Sequence, residues 1–293
     1  MLNGNQVFLW QHVQVFREKS GEFAKNRDIL RLHLPPHIRQ ILQTSQGDQF
    51  NVLSVGSGDG AIDLEVLQIV EEELQRDAKY RDMKIFNRAV EPNRHHISLY
   101  KKAIENLQNN TSFDLRTQTL DQYTQELSSK EEPTTKFDLV HFNYSIYHVN
   151  IEQALKHCLD KEVPENGKVV VVVEGQDLST FVYRLQSQQV LPELEKPEKS
   201  LADEVINIVV KNGWKYEMFT QEYEIDVTEV FDEDSIKGNL LLDFLTGSVT
   251  KSFRDTAERA HIEKVLSAMR DQTTVRDGKR LGKKIDVVLI ISK

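Results

Sequence analysis

Five consecutive valines between Lys168 and Glu174 restrict the fold of this chain more than any other segment. β-branched residues pack well in strands, and a strand that is apolar on both faces has to be buried on both faces. Such strands occur in parallel sheets whose two faces are covered by helices. The valine run therefore predicts a buried strand in a helix-covered sheet.

Strand and helix patterns alternate along most of the chain. The predicted strands are residues 50–55, 84–90, 112–116, 136–142, 168–173, 214–225 and 285–291, and the predicted helices are residues 7–32, 61–76, 94–107, 151–159, 200–212, 240–245 and 253–269. Pro35 and Pro36 should end the first helix. Residues 187–199 should form a loop, and the last strand should join an edge of the sheet as a hairpin. This alternation implies a doubly wound parallel sheet with right-handed crossovers.

Composition and charge exclude several classes of protein. The chain has 293 residues with 46 acidic and 37 basic side chains and a net charge of -9, which argues against general binding to a phosphate backbone. Its single cysteine, Cys158, rules out an internal disulfide and fits a reducing compartment. No stretch approaches the ~20 apolar residues of a membrane span, and the N-terminus does not resemble a signal peptide. We expect a monomeric cytoplasmic protein that binds no nucleic acid, no membrane and no metal, with the basic run Arg276–Lys284 in a solvated hairpin.

The second informative segment, Gly56-Ser57-Gly58-Asp59-Gly60, lies between the first predicted strand and a helix. Glycines allow a sharp turn and let a ligand approach the backbone without a β-carbon in the way. The helix that follows offers unpaired N–H groups. Gly56, Gly58 and Gly60 are therefore predicted to bind a nucleotide-type cofactor at the carboxyl end of the first strand.

Two cofactors compete for this turn. Gly56, Gly58 and Ala61 also fit a dinucleotide fingerprint, which requires an acidic residue about 20 residues later. The acid that closes the second strand is Glu91, 33 positions after Gly58. S-adenosylmethionine tolerates the longer connection because it carries no phosphate, and a carboxylate accepts hydrogen bonds from its ribose hydroxyls. The spacing favours S-adenosylmethionine.

The fourth predicted strand ends in Asn143-Tyr144-Ser145-Ile146-Tyr147-His148, at the edge that faces the ligand crevice in doubly wound folds. Aromatic faces favour cations, and a sulfonium and a protonated amine are both cationic. Tyr144, Tyr147 and His148 are therefore candidates for lining the methyl donor and its acceptor.

Four segments resemble a known enzyme family. They are Leu53–Leu64, Val90–Pro92, Phe137–His141 and Leu241–Thr246. These segments, their order and the chain length are similar to those of the histamine N-methyltransferases. The resemblance implies an α/β fold with a Rossmann-like, seven-stranded methyltransferase sheet and an added helical substrate-binding region. It implies one domain over residues 1–293, with a helical lid at 1–49, the cofactor-binding core at 50–175, and substrate-side additions and sheet-completing strands at 176–293.

The resemblance also assigns the cofactor contacts. They are Gly56, Gly58, Gly60, Glu91, His96, Thr119, Leu120 and Asn143. His96 stands where the family has a glutamine, Leu120 beside Thr119 stands at the adenine-side position, and Asn143 stands at a further cofactor-side position.

The acceptor side follows in the same way. The implied substrate contacts are Phe16, Glu22, Tyr144, Tyr147, Tyr183, Phe244 and Lys284. Glu22 matches the family's substrate glutamate, and Lys284 matches an asparagine that holds the substrate. A lysine donates hydrogen bonds and accepts none, so Lys284 suits an acceptor molecule that bears a carboxylate. Glu22, Tyr147 and His148 are the predicted catalytic residues, with His148 taking up a proton after transfer.

These inferences predict an S-adenosylmethionine-dependent N-methyltransferase that acts on histamine or a related, carboxylated amine. Methyl transfer from a sulfonium is an in-line displacement, so the positioning of a neutral amine supplies much of the acceleration. Two alternatives stay open. The chain could methylate a protein or RNA, or it could be a non-catalytic binding module that keeps the cofactor fold.

Overall fold

The computed structural model describes residues 4–105, 107, 110–128, 135–190, 200–248 and 250–293. The helices are α1 Gly4–Ser20, α2 Glu22–Thr44, α3 Ala61–Arg76, α4 Arg94–Ile104, α5 Leu120–Ser128, α6 Ile151–His157, α7 Leu178–Val190, α8 Leu201–Lys211, α9 Ile236–Thr246, α10 Phe253–Thr256 and α11 Arg259–Asp271. The strands are β1 Gln49–Val55, β2 Lys84–Val90, β3 Thr111–Arg116, β4 Leu139–Asn143, β5 Lys168–Glu174, β6 Lys215–Asp226, β7 Thr273–Arg276 and β8 Lys279–Ser292.

The strands form one sheet in the order β3-β2-β1-β4-β5-β8-β6, and β7 pairs with β8 outside this path. β1 runs parallel to both β2 and β4, and β4 runs parallel to β5. The strand order therefore reverses between β1 and β4, and ligands of open α/β sheets bind at the carboxyl ends of such strands. This arrangement confirms the predicted Rossmann-like α/β fold.

Two strands test the sequence prediction directly. The valine run forms most of β5, and Val169–Val173 are all buried, as expected. β8 was expected at an edge of the sheet, but it lies between β5 and β6. Its segment 287–291 is apolar and buried, which suits a strand with neighbours on both sides.

Pro35 and Pro36 do not end a helix, contrary to the prediction. α2 continues through both of them, and the break between the first two helices lies at Gly21, which has a φ of +66°. A proline inside a helix costs about 3 kcal/mol or more. The burial of large aliphatic side chains, at roughly 1.5–3 kcal/mol each, outweighs this cost. The buried aliphatic side chains of α2 are Ile29, Leu30, Leu34, Ile38, Ile41 and Leu42.

Two other predicted boundaries also change. The helix predicted at 253–269 breaks at Ala257 and Glu258, which are extended. An unbroken helix would place Phe253 and Met269 about 160° apart at 100° per residue, yet both are buried in one apolar cluster. Residues 187–190 continue α7 instead of starting a loop, and residues 191–199 lie outside the described part of the chain.

The described chain divides into two compact units. The first unit comprises the described residues within 1–26, 174–200 and 220–286, and the second comprises those within 27–173, 201–219 and 287–293. Residues 27–49 thus group with the core strands of the second unit. The organisation into one domain with a lid at 1–49 stays a prediction.

Replacement of the exposed Pro36 by alanine should stabilise the protein, because the new N–H can donate to the Leu32 carbonyl within α2. We expect the free energy of unfolding to rise by about 1–2 kcal/mol, since alanine also gives the unfolded chain more freedom. Urea unfolding followed by circular dichroism measures the change. Gln40→Ala, at another exposed position of α2, is the control and should shift stability by less than about 0.5 kcal/mol. A less stable Pro36→Ala protein would contradict this account.

Candidate functional site

The glycine turn has the backbone that only glycines adopt readily. Gly56, Gly58 and Gly60 follow β1 with φ angles of +73°, +57° and +83°. A residue with a β-carbon is strained at such angles. The Gly56 N–H donates to the Val90 carbonyl at 2.8 Å, which ties the turn to the end of β2. The turn predicted from the sequence is therefore formed, between the carboxyl ends of β1 and β2 and the start of α3.

The three glycines differ in what surrounds them. A β-carbon at Gly56 would lie 2.4 Å from Cβ of Ser145, and one at Gly60 would lie 2.3 Å from the ring of Tyr100. A β-carbon at Gly58 would meet nothing within 4 Å. Gly56 and Gly60 are therefore required because neighbouring side chains occupy the space of a β-carbon. Gly58 has open space on that side, which leaves room for a ligand; we call this side the open face of the turn.

Glu91 lies beside the open part of the turn. Its Oε2 accepts a hydrogen bond from Gly58 N at 3.0 Å, and its Oε1 accepts one from Asn93 N at 2.8 Å. His96 Nδ1 lies 3.7 Å from Oε1. Burial alone would raise the pKa of Glu91, but the neighbouring His96 imidazole and the hydrogen bonds from the two backbone N–H groups hold the pKa below its ordinary value. Glu91 is therefore an ionised acceptor at neutral pH.

A second carboxyl behind the turn was missed by the sequence analysis. Asp63 is buried in the first turn of α3, where its Oδ1 accepts a hydrogen bond from Ser54 Oγ at 2.8 Å. Burial raises the pKa of Asp63 to about 7, against the hydrogen bonds from Ser54, Tyr100 and Asn87. The Tyr100 ring packs on Gly60, so this polar network contacts the glycine turn through Tyr100 and stabilises it. The sequence signal was an acidic residue inside the apolar stripe of a helix.

The segment after β4 also contacts the turn. Asn143 ends β4, and Tyr144 follows with a φ of +48°, which is uncommon for a residue with a side chain. Ser145 Oγ donates to the Val55 carbonyl at 2.5 Å. These contacts bring the segment that follows β4, residues 143–148, to the end of β1.

Tyr147 and His148 lie in a short 3-10 turn at the end of this segment. Tyr147 is 49% exposed, and the two rings lie 4.4 Å apart. Partial burial lowers the pKa of His148, while the charge of Glu91 opposes this shift. His148 is therefore neutral at pH 7 and close enough to Glu91 to feel its charge.

Thr119 and Leu120 begin α5. Thr119 Oγ1 accepts a hydrogen bond from Gln122 N at 3.2 Å, and Gln122 Oε1 accepts one from Thr119 N at 2.9 Å. This reciprocal pair is a capping box, so the Thr119 hydroxyl has a structural partner in the helix. Leu120 is buried, and the cofactor contact of both residues stays a prediction.

The first unit contains five of the predicted acceptor residues. The rings of Phe16 and Phe244 stack at 4.4 Å, and Lys284 Nζ lies 5.7 Å from the centroid of the Phe16 ring. Glu22 interacts electrostatically with Lys284. Tyr183 is 57% exposed and lies against the turn that follows α9. The structure therefore brings Phe16, Phe244, Lys284 and Glu22 together.

Lys284 is fully buried, which corrects the expectation that the whole basic run is solvated. Its Nζ lies 2.8 Å from Glu174 Oε1, 2.9 Å from Asp177 Oδ2 and 3.9 Å from Asp286 Oδ1. Burial alone would lower the pKa of Lys284, but these carboxylates raise it above its ordinary value. The ammonium stays charged, and the protein's own acids balance that charge.

Glu22 begins α2 next to these groups and is 9% exposed. Its Oε2 lies 3.9 Å from Arg17 Nε, beyond hydrogen-bond distance. Burial raises the pKa of Glu22 to about 8; the charges of Lys284 and Arg17 lower it, and those of Asp286 and Glu174 raise it. Glu22 therefore titrates near neutral pH.

The acids around Lys284 were not predicted, although signals for two of them were present. Lys284 and Asp286 are two residues apart in a strand and so share one face. Asp177 precedes α7 and caps it, since Thr180 N donates to Asp177 Oδ1 at 3.0 Å and Asp177 N donates to Thr180 Oγ1 at 2.9 Å. Glu174, the remaining acid, ends β5.

Two further observations concern the described residues as a whole. Within them, no group of three or more histidine, cysteine, aspartate or glutamate side chains is arranged to hold a metal ion. None of the described helices has the length and apolar character that a membrane crossing needs.

Comparisons with known proteins agree with this geometry. No family model matches the chain. The chain is 28% identical over 267 residues to carnosine N-methyltransferase 2 of Gallus gallus, which covers 88% of this chain and 79% of that protein. It is 26% identical over 256 residues to histamine N-methyltransferase of Cavia porcellus, which covers 86% and 84%. Among solved structures, loganic acid methyltransferase with SAH has a similar fold, with a TM-score of 0.54 at 8% identity over 95% of this chain and 96% of that one.

The strand order and this likeness show a Rossmann-like fold that loganic acid methyltransferase shares. By sequence, the chain is a homologue of the histamine and carnosine N-methyltransferases. The predicted resemblance to the histamine N-methyltransferases is thereby confirmed.

Alanine substitutions at Gly56 and Gly58 should have different effects, the first mainly on the stability of the protein and the second mainly on cofactor binding. Gly56→Ala should destabilise the protein by about 2–4 kcal/mol, because strain adds to the clash with Ser145. Gly58→Ala should cost only the ~1–2 kcal/mol of backbone strain, yet it should weaken the binding of S-adenosylhomocysteine at least about 10-fold by filling the open face of the turn. Thermal unfolding and calorimetric titration measure the two effects. Wild-type affinity in Gly58→Ala would show that the open face is not a binding face.

The raised pKa of Glu22 predicts that this group lowers the stability of the folded protein as the pH rises. Between pH 4.5 and about 8 the folded protein holds a proton that the unfolded chain releases, so this group lowers stability as the pH rises through that window. Glu22→Gln removes the effect, and its advantage over wild type should grow by about 2–4 kcal/mol from pH 5 to pH 9. Urea unfolding at several pH values tests this, with the exposed Glu18→Gln as a control that should follow wild type. Parallel curves for Glu22→Gln and wild type would contradict the assignment.

Proposed function

We propose that this protein transfers a methyl group from S-adenosylmethionine to a nitrogen of a small amine that also carries a cationic group. The observation that carries the proposal is the contact of Glu91 with Gly58, which places an ionised carboxylate at the open face of a glycine turn. The homology to histamine and carnosine N-methyltransferases supports the same reaction.

The residues of the turn fit the cofactor chemically. S-adenosylmethionine supplies a methyl group that its sulfonium already activates. Glu91 is ionised and suits the ribose hydroxyls as an acceptor. The turn and the start of α3 supply backbone N–H groups, and the open face of Gly58 lets a ligand approach the backbone. We assign cofactor binding to Gly56, Gly58, Gly60 and Glu91, with His96 orienting the carboxylate.

The acceptor must present an unprotonated nitrogen to the methyl group. His148 has a lowered pKa and is neutral at pH 7, so it is able to take up the proton that the methylated nitrogen releases. We assign His148 this role, and we assign Glu22 the recognition of a separate cationic group on the acceptor. Histamine and carnosine, the acceptors named for the relatives, are the first candidates.

The ion pairs of Lys284 change one part of the sequence-based expectation. A lysine at this position was expected to bind a substrate carboxylate. Its ammonium already has two carboxylate oxygens within 2.9 Å, and the surrounding groups are mostly acidic. A carboxylate on the acceptor near Lys284 would face repulsion, so we propose that histamine is a better acceptor than histidine.

Methyl transfer from labelled S-adenosylmethionine to histamine, carnosine and histidine, with the products identified by mass spectrometry, tests this function. Glu91→Ala should weaken cofactor binding about 10- to 100-fold, the loss of roughly 1.5–3 kcal/mol expected for hydrogen bonds to a charged group. The exposed Glu165→Gln serves as a control for lost charge and should bind the cofactor as wild type does. Equal affinities in Glu91→Ala and wild type would overturn the role of Glu91, and the absence of transfer to all three amines would overturn the acceptor class.

A further inference from the structure

The first unit buries more negative than positive charge around Lys284. We use the name Lys284 cluster for Glu22, Glu174, Asp177, Lys284 and Asp286. Four of these five residues are carboxylic acids, and all but Glu174 have less than a tenth of their surface exposed. Full ionisation would therefore leave a net charge of about -3 in a buried place, and burial of unbalanced charge is costly.

The distances show which acids Lys284 binds directly. Lys284 Nζ lies within 2.9 Å of Glu174 and Asp177, close enough for charge-assisted hydrogen bonds. Asp177 is further supported because its Oδ2 accepts a hydrogen bond from Ile285 N at 3.1 Å. These two carboxylates have the donors that an anion needs.

Glu22 has a weaker environment for a negative charge. Arg17 Nε on α1 lies 3.9 Å from its Oε2, beyond hydrogen-bond distance. The other groups that face it are Lys284 and Asp286 of β8, Glu174 at the end of β5, and Tyr223 of β6. Asp286 and Glu174 are acids, so an ionised Glu22 would meet repulsion as well as loss of water.

We propose that Glu22 carries a proton in the free protein and that a cationic amine bound beside it replaces this proton. The inference rests on the proposed function, because it takes Glu22 as the residue that recognises the acceptor's cation. In the exchange, the neutral carboxyl and the ammonium become a carboxylate–ammonium pair, and one proton passes to solvent. The net charge of the cluster is the same before and after binding, so the amine enters without adding charge to a buried place.

The exchange makes amine binding depend on pH. The raised pKa of Glu22, about 8, supports close to one proton released per amine bound at pH 7 and about half a proton at pH 8. Below pH 8, the affinity for a cationic amine should rise about 10-fold per pH unit, and above it the affinity should level off. A pocket with a permanently ionised glutamate would show neither effect.

Calorimetry with histamine, in the presence of saturating S-adenosylhomocysteine, counts the protons. Titrations in two buffers of different ionisation enthalpy at pH 7 and pH 9 give the number released. Wild type and the exposed Glu18→Gln control should release close to one proton at pH 7 and close to none at pH 9. Glu22→Gln, which keeps the shape of the protonated side chain, should release none at either pH. An equal release in Glu22→Gln and wild type would overturn the proposal.

A spectroscopic measurement keeps the proposal separate from the choice of acceptor. If histamine does not bind, the acceptor assignment fails, and infrared spectra of protein labelled with ¹³C-glutamate decide the protonation. A protonated carboxyl band that is present at pH 6, absent at pH 10 and missing from Glu22→Gln would support the proton on Glu22. A wild-type spectrum at pH 6 without any band lost in Glu22→Gln would overturn it.

Discussion

The close approach of Ser145 to Gly56 fixes the ligand-facing edge of the second unit. β1 and β4 are neighbours in the sheet, and the strand order reverses between them. The chain that leaves β4 therefore crosses the chain that leaves β1, and Ser145 Oγ donates to the Val55 carbonyl at that crossing. A side chain at position 56 would push the two segments apart. This contact holds the segment after β4 against the glycine turn, and the turn holds Glu91 through the hydrogen bond from Gly58 N.

The pKa values of the two main candidate carboxyls, Glu91 and Glu22, shift in opposite directions. Glu91 is buried but receives two backbone N–H groups and lies near His96, so its pKa falls and it stays anionic. Glu22 is also buried, but the Arg17 guanidinium is 3.9 Å away and acids lie around it, so its pKa rises. Hydrogen bonds to the charged form decide the difference, since desolvation acts on both in the same direction. The environment of Glu91 therefore suits a neutral hydroxyl donor, and the environment of Glu22 suits a cation.

The sequence predicted the parts of this protein that depend on local patterns. The valine run of β5, the helix 61–76 and the glycine turn required only β-propensity, helical periodicity and the conformational freedom of glycine, and all three are present. The helix through Pro35 could not be predicted from local rules, because the gain comes from apolar side chains that are buried in the tertiary structure. The Lys284 cluster was missed for a similar reason. Its members come from three separate parts of the chain, at residues 22, 174–177 and 284–286, and only the fold brings them together.

Lys284 shows why a matched position does not transfer a role. The resemblance places it where the family holds its substrate with an asparagine, yet here its ammonium binds Glu174 and Asp177, and Asp177 also caps α7. Removal of one partner from such a buried pair costs about 3–5 kcal/mol, because it leaves the other charge uncompensated. An amide at this position would leave those acids without a cation. Lys284 therefore forms ion pairs with the protein's own carboxylates, and its effect on the acceptor is indirect. The ammonium hydrogen-bonds Glu174 and Asp177 and lies 3.9 Å from Asp286. Of the two remaining acids, Glu22 is the more exposed, at 9% against 0% for Asp286, and it is the acid that we propose accepts a cation from outside.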